Sequence, residues 1–501
     1  MKKRLPSAVY NPISALGAAL ALVSFCTILF LVLLDAFSKH TAPYMGILVF
    51  IVIPVFLILG LILIPIGMII ERKRRLKLKK GELPKAFYVD LGKKSHRLAA
   101  TIFLAGSSVF LLATAVGSYQ AYEFTESVTF CGQICHTIMK PEFTAYQNSP
   151  HARVTCAECH VGAGAGWYVQ SKLSGAYQVY SALFNKYPTP IPTPISNLRP
   201  ARETCEQCHW PDKFHGSTEK LINHYLVDEA NTAWPIRMLI KTGGGDREAG
   251  KAIGIHWHLN LDNQIDYIAT DDKRQDIPWV RVRDRNGKER IFVSQDEPIE
   301  ADSVAKYNIR TMDCIDCHNR PAHNYLSPDK SVDQAIAAHK INRTLPSVKQ
   351  FAIESLIEEY ASVDSAMIGI AEHLRHSYKD EFPEIAASRA ADIDAAIVQV
   401  QEIYRNNFFP EMKVKWDEYP ENIGHFISSG CFRCHDGNHV SATGEVITHD
   451  CNSCHSILSQ GTGGDGEVVD LDGLEFKHPV DIDEEWRETP CSECHTGTSQ
   501  L

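Results

Sequence analysis

The sequence has no surplus of positive charge and no sustained hydrophobicity. Its 501 residues carry 60 acidic against 50 basic side chains, a net charge of −10, which argues against nucleic acid as the main partner. A mean hydropathy of −0.16 excludes a polytopic transporter filling the bilayer. Charge is missing from three stretches near the N-terminus, 13–34, 45–70 and 98–119, and apolar runs of that kind are missing after residue 119. The chain is therefore an apolar end joined to a long polar part, with room for two to four domains. Unpaired cysteine is also nearly absent: of 15 cysteines only Cys26 stands alone, and it reads as a packing residue in mid-helix.

Each apolar run is long enough to cross a hydrocarbon core of about 30 Å as a helix. The alternative for the first run, a cleavable signal peptide, needs a shorter apolar core and no second span behind it. Lys2, Lys3 and Arg4 precede the first run. The loop 71–97 holds eleven bases (Arg72, Lys73, Arg74, Arg75, Lys77, Lys79, Lys80, Lys85, Lys93, Lys94, Arg97), and the loop 38–44 only Lys39. The N-terminus and the 71–97 loop are thus expected to be cytoplasmic, and everything after about residue 120 to lie on the far side. That exterior part carries 56 acids against 35 bases. Asp35, near the outer end of the first run, reads as an interfacial carboxylate.

What the exterior part has is a repeated motif. Six segments read C-x-x-C-H: Cys156/Cys159/His160, Cys205/Cys208/His209, Cys314/Cys317/His318, Cys431/Cys434/His435, Cys451/Cys454/His455 and Cys491/Cys494/His495. A seventh, Cys131-Gly132-Gln133-Ile134-Cys135-His136, has one extra residue. The pattern is the attachment signature of c-type haem: two thiols add to the vinyl groups on one porphyrin edge, and the next imidazole reaches the iron. Composition alone supplies roughly 0.02 such pentapeptides in a chain this long. Zinc sites or disulfides would not require His directly after every pair. Seven covalently bound haems in 382 exterior residues leave too little protein to bury each separately, so they are expected to pack together and carry electrons.

Thirteen histidines lie outside the motifs in the exterior part, more than seven irons need for a second ligand. His256 and His258, in "GIHWH", are candidates, with His215 in reserve. Near the last three motifs stand His425, His439 and His478, with His449 as a substitute. His339, His373 and His376 sit on amphipathic helical stretches and read as surface or core residues.

Coarse patterning predicts a helix at 167–185, then a Pro-rich linker, "KYPTPIPTPISNLRP". Strands are predicted within 262–295, where Asn286-Gly287 signals a hairpin. Three or four helices are predicted over 329–408, with apolar residues three and four apart. Three motifs then crowd into 431–495.

A membrane helix followed by "FCGQICHTIMKPEFTAY", "SPHARVTCAECHVG", "CEQCH" and "CIDCHNRPAH" resembles the NapC/NirT/NrfH family of membrane-anchored quinol dehydrogenases. The resemblance covers about 98–210 and 311–327, so 211–310 reads as an insertion between the third and fourth haems. It implies His323 as the distal ligand of another haem, most simply that of His160, and His151 as a further distal ligand. Family members oxidise quinol beside a first haem whose iron is held by a Met just after the motif. Met139 corresponds, although the extra motif residue leaves His136 or Met139 open. The family's lysine twelve residues after the second motif histidine corresponds to Lys172. Its acidic partner seven residues further on is missing, because that position is Val179, between Gln178 and Tyr180.

The expected fold is therefore a membrane-anchored α-helical multihaem cytochrome c. It would have three transmembrane helices and a haem-dictated, mostly α and irregular periplasmic domain with a small β-hairpin insertion. The expected divisions are 1–97 (two spans, about 13–37 and 45–70, and a basic loop), 98–327 (third span and tetrahaem domain), 328–412 (helical scaffold) and 413–501 (trihaem module). The resemblance implies a bacterial inner-membrane menaquinol dehydrogenase, with Lys172 catalytic and menaquinol as substrate from the membrane quinone pool. The acidic exterior suggests a soluble, basic periplasmic multihaem cytochrome as acceptor. The alternatives are a relay subunit without its own quinol site and a periplasmic terminal reductase.

Overall fold

The computed structural model describes residues 11–37, 53–77, 92–134, 136–162, 164–195, 199–244, 254–260 and 262–498. They form two compact units, Met1–Cys131 with Cys156–Tyr177, and Gly132–Thr155 with Gln178–Leu501.

The first unit is built on three long helices, α1 (Pro12–Phe37), α2 (Ile53–Leu76) and α3 (Lys94–Glu126). Asn11 starts α1: its Oδ1 accepts from the Ser14 amide at 2.8 Å, and Pro12 follows where no amide donor is needed. Helices α1 and α2 are long and apolar enough to cross a membrane. They meet through small residues. A Cβ on Gly17 would lie 2.7 Å from the Gly60 carbonyl oxygen, and one on Gly60 2.6 Å from the Ala21 nitrogen. The Ser14 hydroxyl donates across the pair to the Ile64 carbonyl at 2.8 Å. Close backbone approach and an interhelical hydrogen bond are how helices associate where lipid removes any hydrophobic drive. Helix α2 ends on Lys73, Arg74 and Arg75, which suit its negative dipole end. The third apolar run, 98–119, lies inside α3, whose 33 residues span about 50 Å and continue past it to Glu126. The Asp35 side chain, residues 38–52 and residues 78–91 lie outside the described residues.

Next to the first motif stands α4 (His136–Gln147), and the helix expected at 167–185 forms as α5 (Ala165–Leu183). In the second unit, 328–408 folds as predicted from its periodicity into α6 (Pro328–Ala337), α7 (Val348–Ile357), α8 (Val363–Glu381) and α9 (Ala390–Asn407), with a short helix between the last two. Ser327 caps α6 by accepting from the Lys330 amide, and Ser362 opens α8 with a capping box. Val332, Ile336, Leu345, Phe351, Leu356, Ile370, Leu374, Tyr378 and Val400 are buried in one core.

The strands depart from expectation. The predicted hairpin is present, as β4 (Trp279–Asp284) and β5 (Glu289–Ser294) around Gly287 at φ +78°. It belongs, however, to a five-stranded sheet ordered β6-β3-β4-β5-β7, with β3 (Asn263–Ile268), β6 (Arg310–Thr311) and β7 (His439–Ser441). A second sheet is ordered β1-β2-β8-β9, with β1 (Thr218–Ile222), β2 (Ile236–Ile240), β8 (His455–Gly461) and β9 (Glu467–Leu474). All pairings are antiparallel. The small hairpin insertion of the sequence reading is thus two sheets, and both pair strands of 211–310 with strands of the C-terminal segment. The boundary expected at 413 is crossed by main-chain hydrogen bonds, which sequence spacing does not reveal.

Candidate haem sites and a lysine–glutamate pair

The C-x-x-C-H motifs are folded as short helical turns, for example Cys156–His160, Cys314–Cys317 and Cys491–Cys494. In four of them the histidine amide donates to the carbonyl of the first cysteine: His209 at 2.8 Å, His318 at 2.8 Å, His435 at 3.1 Å and His495 at 2.8 Å. The first motif differs as its length demands. Phe130–Ile134 is a π-helical turn, whose wider ring takes up the extra residue. Cys135 and the His136 side chain lie outside the described residues, and Met139 is half-buried one turn along α4. No two cysteines are joined as a disulfide among the described residues.

The motif cysteines differ in how far the protein covers them. Cys159 and Cys208, the second cysteines of their motifs, are exposed, as are Cys431, Cys451 and Cys494. Cys131, Cys156, Cys205, Cys314, Cys317, Cys434, Cys454 and Cys491 are half-buried. An open flank is what a porphyrin edge needs to reach both sulfurs, so the exposure of Cys159 and Cys208 is compatible with attachment there.

Thiols of successive motifs also meet. Cys131 and Cys156 share a hydrogen bond, which holds the Cys156 thiol down at about 7 and pushes the Cys131 thiol up. Cys205 and Cys314 form the same kind of pair, with Cys205 lowered and Cys314 raised. The fourth motif is anchored to the five-stranded sheet through buried Asp316. It accepts from the Tyr267 hydroxyl at 2.8 Å, from Arg274 at 3.0 Å and from Arg310 at 2.8 Å.

Five motif histidines each face a second imidazole. Ring centroids are 6.1 Å apart for His151 and His209, 6.3 Å for His256 and His318, and 5.7 Å for His258 and His435. They are 6.2 Å apart for His425 and His455 and 6.0 Å for His478 and His495. Two nitrogens bonded at about 2 Å to one metal, each roughly 1 Å from its ring centre, put the rings about 6 Å apart. The spacing therefore fits one iron between each pair.

Several of the non-motif rings are oriented by main-chain carbonyls. Nδ1 of His151 meets the Pro321 carbonyl at 3.2 Å, that of His256 the Thr242 carbonyl at 2.7 Å, and that of His258 the Ile255 carbonyl at 2.8 Å. His478 meets the Val480 carbonyl at 2.7 Å and His323 the Glu142 carbonyl at 3.0 Å. A carbonyl at Nδ1 selects the tautomer that leaves Nε2 as the free lone pair. Burial, followed by the charge of neighbouring histidines, holds His258 at about 4 and depresses His318, His425 and His495. The direction favours the neutral imidazole, the form that binds a metal.

His439 is a correction to the sequence reading. It is buried, with Nδ1 on the Asp436 carboxylate at 2.9 Å and Nε2 on the Ile277 carbonyl at 2.7 Å, so both nitrogens are engaged by protein. It fastens β7 and its turn to the sheet instead of facing a motif histidine. His449 lies against Phe432, at 4.8 Å between centroids. His373 and His376 pair with glutamates and an aspartate on the scaffold surface, as their placement suggested. His224, Asp329 and Asp333 form a compact group, but the Lys349 ammonium sits between the two carboxylates at 2.6 and 2.7 Å. The cation there is supplied by the chain itself.

Lys172, on α5, is ion-paired with Glu126, the last residue of α3. The Glu126 side chain is 14% exposed and that of Lys172 36%. The Tyr168 ring lies 5.1 Å from the ammonium. Nothing in the sequence links two residues 46 positions apart, so Glu126 escaped the sequence reading. Its one signal was its place at the outer end of an apolar run, five residues before Cys131.

Residues 93–191 match the NapC/NirT cytochrome c family, N-terminal region. The chain is 44% identical over 494 residues to the cytochrome c-type protein ImcH of Geobacter sulfurreducens, covering 98% of this chain and 96% of that protein. No solved structure matches. With its apolar N-terminal helices, its attachment motifs and likeness along nearly its whole length to a c-type cytochrome, the chain belongs to the NapC/NirT cytochrome c family, the membrane cytochromes c of electron transfer.

Proposed function

We propose that the protein is an inner-membrane menaquinol dehydrogenase that passes electrons through seven covalently bound haems to a soluble periplasmic cytochrome. The supporting observation is the set of five imidazole pairs at about 6 Å, each holding one motif histidine. Haem c bound at such sites supplies one-electron redox chemistry, and ligation on both faces suits electron transfer more than substrate binding.

The protein's own residues do the rest. His256 and His258 stand on one short turn, Ile255–Leu259, and face the fourth and fifth motif histidines respectively. One rigid element thus holds the distal side of two consecutive sites, joining the family-like part to the C-terminal part. His323, with its Nδ1 anchored on Glu142, is the distal ligand remaining for the second motif by resemblance, and His136 or Met139 holds the first iron. Helix α3 forms the third span, its charge-free stretch crossing the bilayer with the basic loop on the cytoplasmic side. Lys172 hydrogen-bonds a quinol oxygen and stabilises the anion that develops as protons leave. The acidic exterior steers a basic cytochrome, with association that weakens in salt.

Lys172→Gln is expected to abolish reduction of the protein by a menaquinol analogue while haem content stays normal. An unchanged rate rejects the lysine's role. A wild-type protein that the analogue fails to reduce makes the chain a relay. A high-spin haem that binds added nitrite makes it a terminal reductase.

A further inference from the structure

We infer that Glu126 is the proton acceptor for quinol oxidation, taking the role that the missing acidic residue on α5 leaves open. This deepens the reading just given and rests on it.

Oxidising a quinol releases two protons with its two electrons, so the site needs a base at the hydroxyl as well as a cation beside it. Lys172 is the cation. On its own helix the position one family spacing further on is Val179, and Gln178 and Tyr180 beside it are no bases at neutral pH. The carboxylate that touches Lys172 comes instead from another helix, at Glu126. Its position suits a lipid-borne substrate. The apolar run of α3 ends at residue 119, and seven more residues put Glu126 about 10 Å beyond it, at headgroup depth. Phe124 and Phe130 pack edge to face at 5.5 Å on either side of it in sequence. Beside Lys172, α5 exposes Val169 and Leu173, an apolar approach for a quinone ring. Cys131, an attachment thiol of the first motif, is close enough to feel the charges of both Glu126 and Lys172.

The pair also explains how one site handles proton and charge together. Glu126 presents its carboxylate beside the ammonium, where it can accept a proton. A quinol hydroxyl gives its proton to a Glu126 carboxylate oxygen while one electron leaves to the cofactor attached at Cys131. The O–H bond breaks and a carboxyl O–H forms. Protonation removes the counter-charge of Lys172, and the freed ammonium turns to the oxygen that has just lost its proton. Glu126 releases that proton to the aqueous side, and the second hydroxyl and second electron follow the same route. One quinol becomes one quinone, with two electrons accepted and two protons released.

The test uses full-length protein in lipid nanodiscs with a water-soluble naphthoquinol as reductant. Glu126→Gln is expected to slow haem reduction by quinol at least about 100-fold, the lower end for loss of a general base. Haem content and the dithionite-reduced spectrum should stay normal, and the affinity for a hydroxyquinoline N-oxide inhibitor should stay within about two-fold. Glu126→Asp, which keeps the base, should restore the rate to within about ten-fold of wild type. A Glu126→Gln protein as fast as wild type overturns the inference alone. So does one that loses inhibitor binding in step with rate and is not rescued by aspartate, since that is the mark of a merely structural ion pair. A wild-type protein that quinol cannot reduce overturns the parent reading, and this one with it.

Discussion

The helical scaffold and the C-terminal segment lie in the same compact unit but are held together by different means. Helices α6 to α9 enclose a dry core in which Phe351, Leu374 and Tyr378 are sealed from water. After Tyr419, by contrast, Ile457 is the sole buried apolar side chain among the described residues. That stretch instead buries His439, Ser459 and Gln460, winds into short turns around cysteine pairs, and takes its strand partners from 211–310. The scaffold offsets its ordering entropy by apolar burial, at about 25 cal/mol per Å². The C-terminal segment has no such reserve, and its stability is expected to come from thioether-bound cofactors clamped between imidazoles.

That contrast can be broken experimentally. The largest effect is expected from Cys491→Ala with Cys494→Ala. The intact mass should fall by one haem and amides of 476–498 should lose hydrogen-exchange protection, while α6 to α9 keep theirs. Scaffold amides that exchange equally fast would show the two regions to be one cooperative unit. Next, His478→Ala should convert one iron to a high-spin form visible in electron paramagnetic resonance. His439→Ala should leave the spin state of every iron as in the wild type, because both His439 nitrogens are already engaged. In the scaffold, Phe351→Ala should cost about 3–5 kcal/mol in denaturant unfolding followed by far-UV circular dichroism, with haem spectra unchanged.

The smallest effect concerns the five-stranded sheet that ties the C-terminal segment to 211–310. Buried Asp266 accepts from Arg281 at 2.7 and 3.1 Å, from Thr311 at 2.7 Å and from Gln264 at 3.0 Å. Burial, the strongest single influence, works to raise its pKa. The hydrogen bonds from Gln264, Arg281 and Thr311, with the Arg281 charge, together outweigh it and leave the carboxyl below its ordinary value. A depressed carboxyl contributes stability above its unfolded value of about 3.9 and loses it as pH falls through the folded value. Asp266→Asn should therefore cost about 2–3 kcal/mol at neutral pH, less than a fully dry pair because Arg281 reaches water. The gap to wild type should stay level down to about pH 5 and close below about pH 4. A gap independent of pH would assign the loss to packing.

Much of this was legible in the sequence. The apolar runs, the scaffold helices and the hairpin at Asn286-Gly287 all follow from periodicity or from a turn whose backbone needs glycine. The two sheets were not legible, because β2 meets β8 and β5 meets β7 across more than a hundred residues, and a strand carries no local mark of so distant a partner. His439 misled in a related way: a histidine near a motif reads as a ligand until its bonds to Asp436 and Ile277 are seen.

The sequence alone determined where the seven cysteine-pair motifs stand and which stretches are apolar enough to enter a bilayer, because both properties are written within a few residues or one helix length. Only the tertiary structure decided which imidazole faces which motif, that His256 and His258 face two different motif histidines from one turn, and that the partner of Lys172 is Glu126. Those choices depend on residues brought together from distant parts of the chain, and separation in sequence carries no information about them.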